Sequence, residues 1–156
     1  MTELYGKVGF VSPWTGYLAF RDASAVGVGG FKSPPKSGVV EIAYHTFVVF
    51  EGQGIATGIA AQLVQIAHTA DPSVRVQACT LPEESASTTV LLRNGFAYMG
   101  TVSDPEDAET PWKRRAQVAR IVQNGFQKRN VGRDAFDEKL VQASAHSCYR
   151  FGAGFR

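Results

Sequence analysis

The sequence between residues 39 and 68 contains a glycine turn whose backbone could hold a phosphate group. The turn is Gly52-Gln53-Gly54, and apolar residues recur after it at helical spacing. The first N–H groups of a helix have no partner inside the helix, and the positive end of the helix dipole attracts anions. We therefore predict that a phosphate or pyrophosphate binds the backbone N–H groups of Gln53, Gly54, Ile55, Ala56 and Thr57. The same pattern also fits a tight connection that holds no ligand.

Two elements must position this turn. Alternating residues from Val39 to Phe47 predict a strand before it, and the apolar stripe from about Ala56 to His68 predicts a helix after it. Val74–Thr80 also alternates, and a strand reached through a helix should lie parallel to the first. Two strand-like runs, Gly16–Arg21 and Ala25–Phe31, precede these elements and predict an antiparallel meander. The fold class is therefore a mixed α/β sheet.

A second segment, Thr80 to Gly100, predicts a short helix followed by a strand. Ser85 or Glu84 is placed to cap the helix, and Asn94-Gly95 is placed to end it, since glycine is favoured where the backbone turns left-handed. The strand should run from Phe96 to Val102. The helix residues predicted to face inward are Ala86, Val90 and Leu91.

The two segments FEGQGIATGIAAQLV and TLPEESASTTVLLRNGF together resemble the signature segments of the GNAT acetyltransferase superfamily. The likeness is to the branch of the ribosomal-protein N-acetyltransferases and runs from about Gly16 to Trp112. It implies that acetyl-coenzyme A is the cofactor and that the parallel strand pair splays around it. It also implies transfer of the acetyl group to a primary amine, of a small molecule or a peptide N-terminus, by direct attack in a ternary complex.

The resemblance also implies where the cofactor would lie. The pantetheine arm would pair with the strand backbone near Thr46–Val48, and the N–H of Phe47 would face the developing oxyanion. Val48 belongs to the same cofactor-binding stretch, and Ser87 matches the serine of the second segment. Ser87 fits the first turn of a helix equally well without a ligand. Glu51 and Glu84 depart from the family, because they place carboxylates where neutral or basic side chains are usual.

An amine must lose a proton before it attacks, and two residues could accept that proton. Glu41 matches a carboxylate that some relatives use as the base, directly or through water. His45 is the second candidate, because histidine is a common general base in proteins. The two lie on one face of the strand, roughly 13 Å apart, and therefore cannot act as a hydrogen-bonded dyad. Either residue also fits an ordinary surface position on a strand.

The resemblance stops before residue 113, and the rest of the chain has a different character. Seven Lys or Arg residues and no acidic residue fall between Lys113 and Arg133. The spacing of Val118, Ile121, Val122 and Phe126 predicts an amphipathic helix, and a second helix is predicted from Asp134 to His146. We divide the chain into a core at residues 1–112 and a helical extension at residues 113–156.

Family members usually begin with a strand and one or two helices ahead of the segment that starts here near Gly16. We expect the two C-terminal helices to cover the side of the sheet left open, through Trp112, Phe136, Leu140 and Val141 among others, and we expect a homodimer. Basic residues on one helix face are usually only solvated. Nucleic acid is therefore an unlikely partner, since no aromatic residues are interleaved among the charges.

Composition narrows the class of protein. A chain of 156 residues with 44% hydrophobic residues suits one small domain, and a net charge of +2 implies no polyanionic partner. Cys79 and Cys148 form no metal-ligand pattern and predict free thiols in a cytoplasmic protein, with no metal and no membrane contact. A second hypothesis of another class stays open: an acetyltransferase-derived module that binds acyl-coenzyme A or a partner without turnover.

Overall fold

A computed structural model describes residues 11–80, 85–103, 117–123 and 138–142; residues 101–103 and the last two stretches are described by their backbone, with the Leu140 side chain. Within these residues, seven strands form one mixed sheet and two α-helices pack on it. The strands are β1 (Gly16–Arg21), β2 (Ser24–Phe31), β3 (Val39–Thr46), β4 (Arg75–Thr80), β5 (Phe96–Ser103), β6 (Gln117–Gln123) and β7 (Glu138–Gln142). The helices are α1 (Ile55–Ala70) and α2 (Ala86–Arg93). The order across the sheet is β5-β6-β4-β3-β2-β1-β7.

The first three strands form the predicted antiparallel meander. The turn between β1 and β2 contains Asp22 at a positive φ of 52°, a conformation that Asp tolerates better than most residues. The connection between β2 and β3 contains Pro34 and Pro35, which cannot donate to a strand ladder. Helix α1 then carries the chain to β4, which pairs parallel to β3 as predicted. The mixed α/β fold class is confirmed.

Helix α1 lies close against β2 because two glycines leave room for it. A side chain at Gly27 would bring a Cβ 3.0 Å from Ile59 and 2.5 Å from the carbonyl oxygen of His45. A Cβ at Gly29 would lie 2.5 Å from Ile59 and 3.1 Å from Leu63. The apolar face of α1 is buried against this part of the sheet, which fixes the start of the helix relative to β3.

The second helix begins and ends as the sequence predicts, but the prediction that Ala86 faces inward is wrong. Ser85 caps α2, and its hydroxyl accepts a hydrogen bond from the N–H of Thr88 at 3.3 Å. Val90 and Leu91 are buried, whereas Ala86 is exposed because a first-turn residue of so short a helix lies beyond the edge of the core. Gly95 follows the helix with a positive φ of 79°.

The two predicted C-terminal helices are wrong where the structure describes them. Residues 117–123 form β6, and residues 138–142 form β7. The apolar spacing at Val118, Ile121 and Val122 fits a helix, but β-branched residues also favour strands, and pairing with a free strand edge decides between the two. Trp112, Phe126, Phe136 and the proposed boundary at residue 112 lie outside the described residues. The boundary stays a prediction.

The two C-terminal strands occupy different places in the sheet. β6 lies between β4 and β5 and is antiparallel to both. β7 adds to the far edge, antiparallel to β1, and extends the sheet where we expected a covering helix. Leu140 packs against the core, and its backbone N–H donates to Oε1 of Gln62 on α1 at 3.2 Å. Residues 117–123 and 138–142 are therefore part of the sheet.

This placement predicts unequal effects of two truncations. A chain ending at residue 112 lacks β6, so β5 loses the strand that joins it to the sheet, and we expect no cooperative unfolding transition. Of the described strands, a chain ending at residue 137 lacks only the edge strand β7, and we expect a folded protein of lower stability. Urea unfolding followed by circular dichroism measures both. Equal stability of the two truncated chains would contradict the described order of strands.

Candidate functional site

A cleft opens in the middle of the sheet because β3 and β4 stay paired over only part of their length. Their parallel ladder has three residue pairs and ends with Glu41 opposite Gln77. Beyond that point β3 continues to pair with β2 as far as Thr46, and β4 pairs with β6 from Gln77 to Thr80. Each strand therefore keeps a partner on its outer side while the inner edges separate.

The backbone of β3 turns alternate residues toward this cleft. The carbonyl oxygen of Glu41 accepts a hydrogen bond from Lys32 on the β2 side, and the N–H of Phe47 donates to Val26 at 3.0 Å on the same side. In an antiparallel ladder the residues between them face the other way. The N–H groups of Tyr44 and Thr46 therefore face the cleft, and the prediction that the Phe47 N–H faces an oxyanion is wrong. Val48, in the short 3-10 turn Val48–Phe50, is 75% exposed.

Thr46 also brings an unsatisfied hydroxyl to this end of the strand. The residue is only 8% exposed, and its Oγ1 has no hydrogen-bond partner among the described residues. A buried polar atom without a partner is costly, and such atoms mark places where another molecule can complete the bonding. The end of β3 therefore has spare hydrogen-bonding capacity at both its backbone and this side chain.

The glycine turn follows directly and is open on its outer side. Gly52 and Gly54 have positive φ values of 75° and 78°, and a Cβ on either would meet nothing within 4 Å. Gly54 is the residue before α1 and provides no side-chain cap. The N–H groups of Gly54, Ile55, Ala56 and Thr57 lie at the helix start, with Gln53 beside them. This space can accept an anion.

Tyr44 crosses from β3 to the second helix. Its hydroxyl donates to the carbonyl oxygen of Ser87 at 3.2 Å, and burial raises the pKa of Tyr44 well above its ordinary value. Asn94 makes a second link at the other end of α2, because its Nδ2 donates to the carbonyl oxygen of Thr57 at 3.2 Å. The two contacts tie α2 to β3 and to the first turn of α1. The sequence analysis did not identify Tyr44 as a site residue, although strand alternation places its side chain on the face of the sheet where α2 lies.

The two candidate bases lie apart on β3. Glu41 is at the vertex of the cleft, where its carboxylate contacts Nζ of Lys32 at 2.5 Å and accepts a hydrogen bond from Nε2 of Gln77 at 3.2 Å. His45 is exposed, four residues further along the strand, with its ring 6.4 Å from that of Phe47. Glu41 therefore joins three consecutive segments of the sheet, whereas His45 lies toward the open end of the cleft.

A further residue that sequence reasoning missed lies at the glycine turn. Nη1 of Arg21, the last residue of β1, donates to Oε1 of Gln53 at 2.7 Å. The two residues are far apart in sequence, so no local motif could indicate the contact. The predicted cofactor residue Ser87 has an exposed side chain in the first turn of α2, and Glu84 lies outside the described residues.

Comparison with a family model identifies the family of the chain. Residues 6–97 match the model described as acetyltransferase (GNAT) domain, which includes β1 to β4, both helices and the glycine turn. The chain belongs to this family. A search of curated proteins found no match.

Solved structures show the same fold at low sequence identity. Aminoglycoside acetyltransferase AAC(6')-Ib in complex with coenzyme A is 21% identical, with a TM-score of 0.56 over 69% of this chain and 64% of that one. RimL, a ribosomal L7/L12 alpha-N-protein acetyltransferase in complex with coenzyme A, is 23% identical, with a TM-score of 0.59 over 70% and 61%. An IAA acetyltransferase from Bacillus cereus is 16% identical, with a TM-score of 0.57 over 69% and 75%. This chain thus matches less than two thirds of the first two proteins.

Two further observations concern the described part of the chain. No group of three or more His, Cys, Asp or Glu side chains there is placed to hold a metal ion. No helix there has both the length and the apolar character needed to cross a membrane.

The raised pKa of Tyr44 predicts how stability depends on pH. The folded state holds the phenol proton more tightly than the unfolded state does, so this contribution is complete below the ordinary tyrosine pKa of 10.0 and is lost as pH rises above it. Tyr44→Phe should lower the free energy of unfolding at neutral pH by about 1 kcal/mol, through the lost bond to Ser87. It should also reduce the loss of stability above pH 10. Urea unfolding at several alkaline pH values measures both effects.

Tyr98→Phe, which removes a hydroxyl from a 59% exposed tyrosine, is the matched control. Equal alkaline destabilisation of the wild type and Tyr44→Phe would show that Tyr44 is not buried as described.

Proposed function

We propose that this protein transfers an acetyl group from acetyl-coenzyme A to a primary amine, of a small molecule or a peptide N-terminus, by direct attack in a ternary complex. The observation that carries the proposal is the cleft between β3 and β4, which opens beside an uncapped helix start. A thioester arm and a diphosphate need these two features side by side. Membership of the acetyltransferase family and the fold shared with two coenzyme A complexes support the assignment.

The residues present fit this cofactor. The free space in front of Gly52 and Gly54 would admit a phosphate, and the unsatisfied Thr46 hydroxyl lies at the end of the cleft. The residues that would hold the diphosphate are Gln53, Gly54, Ile55, Ala56 and Thr57. The N–H groups of Tyr44 and Thr46 replace that of Phe47 as donors along the arm, with Val48 and Ser87 at its two sides. Bound acetyl-coenzyme A would supply an acetyl group activated as a thioester.

The chain's own residues would supply donors and a base. A cleft-facing N–H of Tyr44 or Thr46 could stabilise negative charge that develops on a carbonyl oxygen. Glu41 or His45 would take a proton from the amine, directly or through a water. Glu41 is enclosed by Lys32 and Gln77, whereas His45 is exposed. The two positions therefore favour different routes: Glu41 would act through water, and His45 could reach an amine that approaches from solvent.

A second candidate function is supported by the contacts of Glu41. The Glu41 carboxylate contacts both Lys32 and Gln77, which is a structural role at the vertex of the cleft. A carboxylate with that role need not act as a base. Glu51 adds a negative charge to the glycine turn. The contacts of Glu41 favour a module without turnover, and the charge of Glu51 favours a protein partner over acyl-coenzyme A for such a module.

The proposal also covers the family branch, the oligomeric state and the cellular location. We also propose the branch of the ribosomal-protein acetyltransferases, with which RimL shares the fold, and a homodimer, because β5 and β7 are the edge strands of the described sheet. We also propose a cytoplasmic location, because two cysteines in a chain of 156 residues form no disulfide framework. Light scattering would test the dimer: a single-chain mass at micromolar concentration would contradict it.

Gly54→Val tests the cofactor site. A branched side chain would fill the space in front of the helix start, and we expect coenzyme A binding to be lost in calorimetric titration. Gly95→Val is the matched control, because Gly95 has nearly the same positive φ, 79° against 78°, and equally open surroundings at the end of α2. Both variants carry the same backbone strain. Tight binding of coenzyme A by Gly54→Val would place the cofactor elsewhere.

Turnover by the wild type distinguishes the two candidate functions, and Glu41→Gln tests whether Glu41 is the base. If Glu41 is the base, the substitution should lower kcat by ~10²-fold or more at unchanged cofactor affinity. Lys32→Met is the matched control, because it breaks the same ion pair and leaves the carboxylate in place. A role limited to the vertex predicts that both variants lose stability alike and that neither selectively loses kcat. Steady-state rates with acetyl-coenzyme A and a set of primary amines, together with urea unfolding, provide the two measurements.

A further inference from the structure

The glycine turn contains an unfavourable charge for the cofactor proposed above. Glu51 lies one residue before Gly52, is exposed, and places a carboxylate next to the space where a diphosphate would lie. Like charges repel, so a diphosphate bound there would benefit from a nearby cation. The turn itself, from Glu51 to Gly54, contains no basic residue.

A cation reaches this turn from another strand. The guanidinium of Arg21 donates from Nη1 to Oε1 of Gln53 at 2.7 Å, and Gln53 lies between the two glycines. A guanidinium has five N–H donors in a rigid plane, so it can bond an amide oxygen and a phosphate oxygen together. The contact therefore holds positive charge beside the N–H groups that face the open space.

The backbone of Arg21 is fixed on both sides. Arg21 pairs with Ser24 of β2 on one side and with Glu138 of β7 on the other. The ladder between β1 and β2 changes register at Ala19 and Phe20, just before Arg21. Such irregularities change the direction of the strand that follows and are frequent near functional sites. The guanidinium thus extends from an ordered strand end.

We propose that Arg21 is a cofactor-binding residue whose guanidinium contacts the diphosphate of coenzyme A at the glycine turn. This inference rests on the proposed function, because it assigns a role within the same site. It explains how a turn that contains Glu51 can still accept an anion: the compensating charge comes from the end of β1. The contact between Arg21 and Gln53 would then orient the guanidinium before the cofactor arrives.

Calorimetric titration of Arg21→Gln tests the assignment, with three ligands of decreasing charge. Coenzyme A carries the diphosphate and a 3′-phosphate, dephospho-coenzyme A keeps only the diphosphate, and pantetheine has neither. We expect Arg21→Gln to weaken coenzyme A and dephospho-coenzyme A by the same factor, about tenfold, and to leave pantetheine unchanged. Arg21→Lys should recover part of the affinity, because it keeps the charge without the planar donor pair. The dependence of Kd on salt should be weaker in Arg21→Gln.

Arg75→Gln is the matched control. Arg75 is an exposed arginine at the start of β4, paired with Val39 at the opposite end of β3 from the turn, and its loss changes the net charge equally. Equal affinity of Arg21→Gln and Arg75→Gln for coenzyme A, with tight binding by the wild type, would overturn the role of Arg21 and leave the proposed function intact. A loss confined to coenzyme A would assign Arg21 to the 3′-phosphate and overturn the diphosphate contact. A wild-type protein that binds none of the three ligands overturns both proposals. Thermal unfolding of each variant confirms that it is folded.

Discussion

The early end of the β3–β4 ladder is the constraint on which the site depends. Strands in a sheet normally pair along their full length, because each unpaired backbone group that is buried costs free energy. Beyond the end of the β3–β4 ladder, β3 stays paired with β2, and β4 is paired with β6 on its opposite edge. The separation therefore leaves unpaired only the two edges of β3 and β4 that face each other. Those inner N–H and C=O groups are then available to a bound molecule. The cleft is thus a consequence of where the outer partners lie.

Hydrogen bonds tie the helices to one wall of the cleft and to each other. Tyr44 links β3 to the start of α2, and Asn94 links the end of α2 to the first turn of α1. The glycines of β2 allow α1 to lie close to the sheet, which brings the uncapped helix start to the end of β3. At the vertex, Glu41 joins Lys32 and Gln77 across three segments. The β3 wall is therefore hydrogen-bonded to α2 through Tyr44, and the β4 wall is hydrogen-bonded to β3 through Gln77 and Glu41.

The sequence predicted those parts of the fold that local periodicity determines. The apolar stripe of α1, the strand β3, the Ser85 cap and the parallel crossover are all signalled by neighbouring residues. The strands β6 and β7 were predicted as helices, since the spacing at Val118, Ile121 and Val122 suits either structure and the deciding partners are distant strands. The direction of the Phe47 N–H and the contact between Arg21 and Gln53 depend on register and tertiary packing. No local pattern encodes those.

The pairing of β7 with β1 has a consequence for how the chain acquires its structure. Tyr17 of β1 pairs with Gln142 of β7, so one edge of the sheet joins residues from nearly opposite ends of the chain. Contacts between residues distant in sequence form slowly, because the intervening chain loses entropy when they close. During synthesis the outer edge of β1 must stay exposed until β7 leaves the ribosome. An unpaired strand edge of this kind is a template for pairing with other chains.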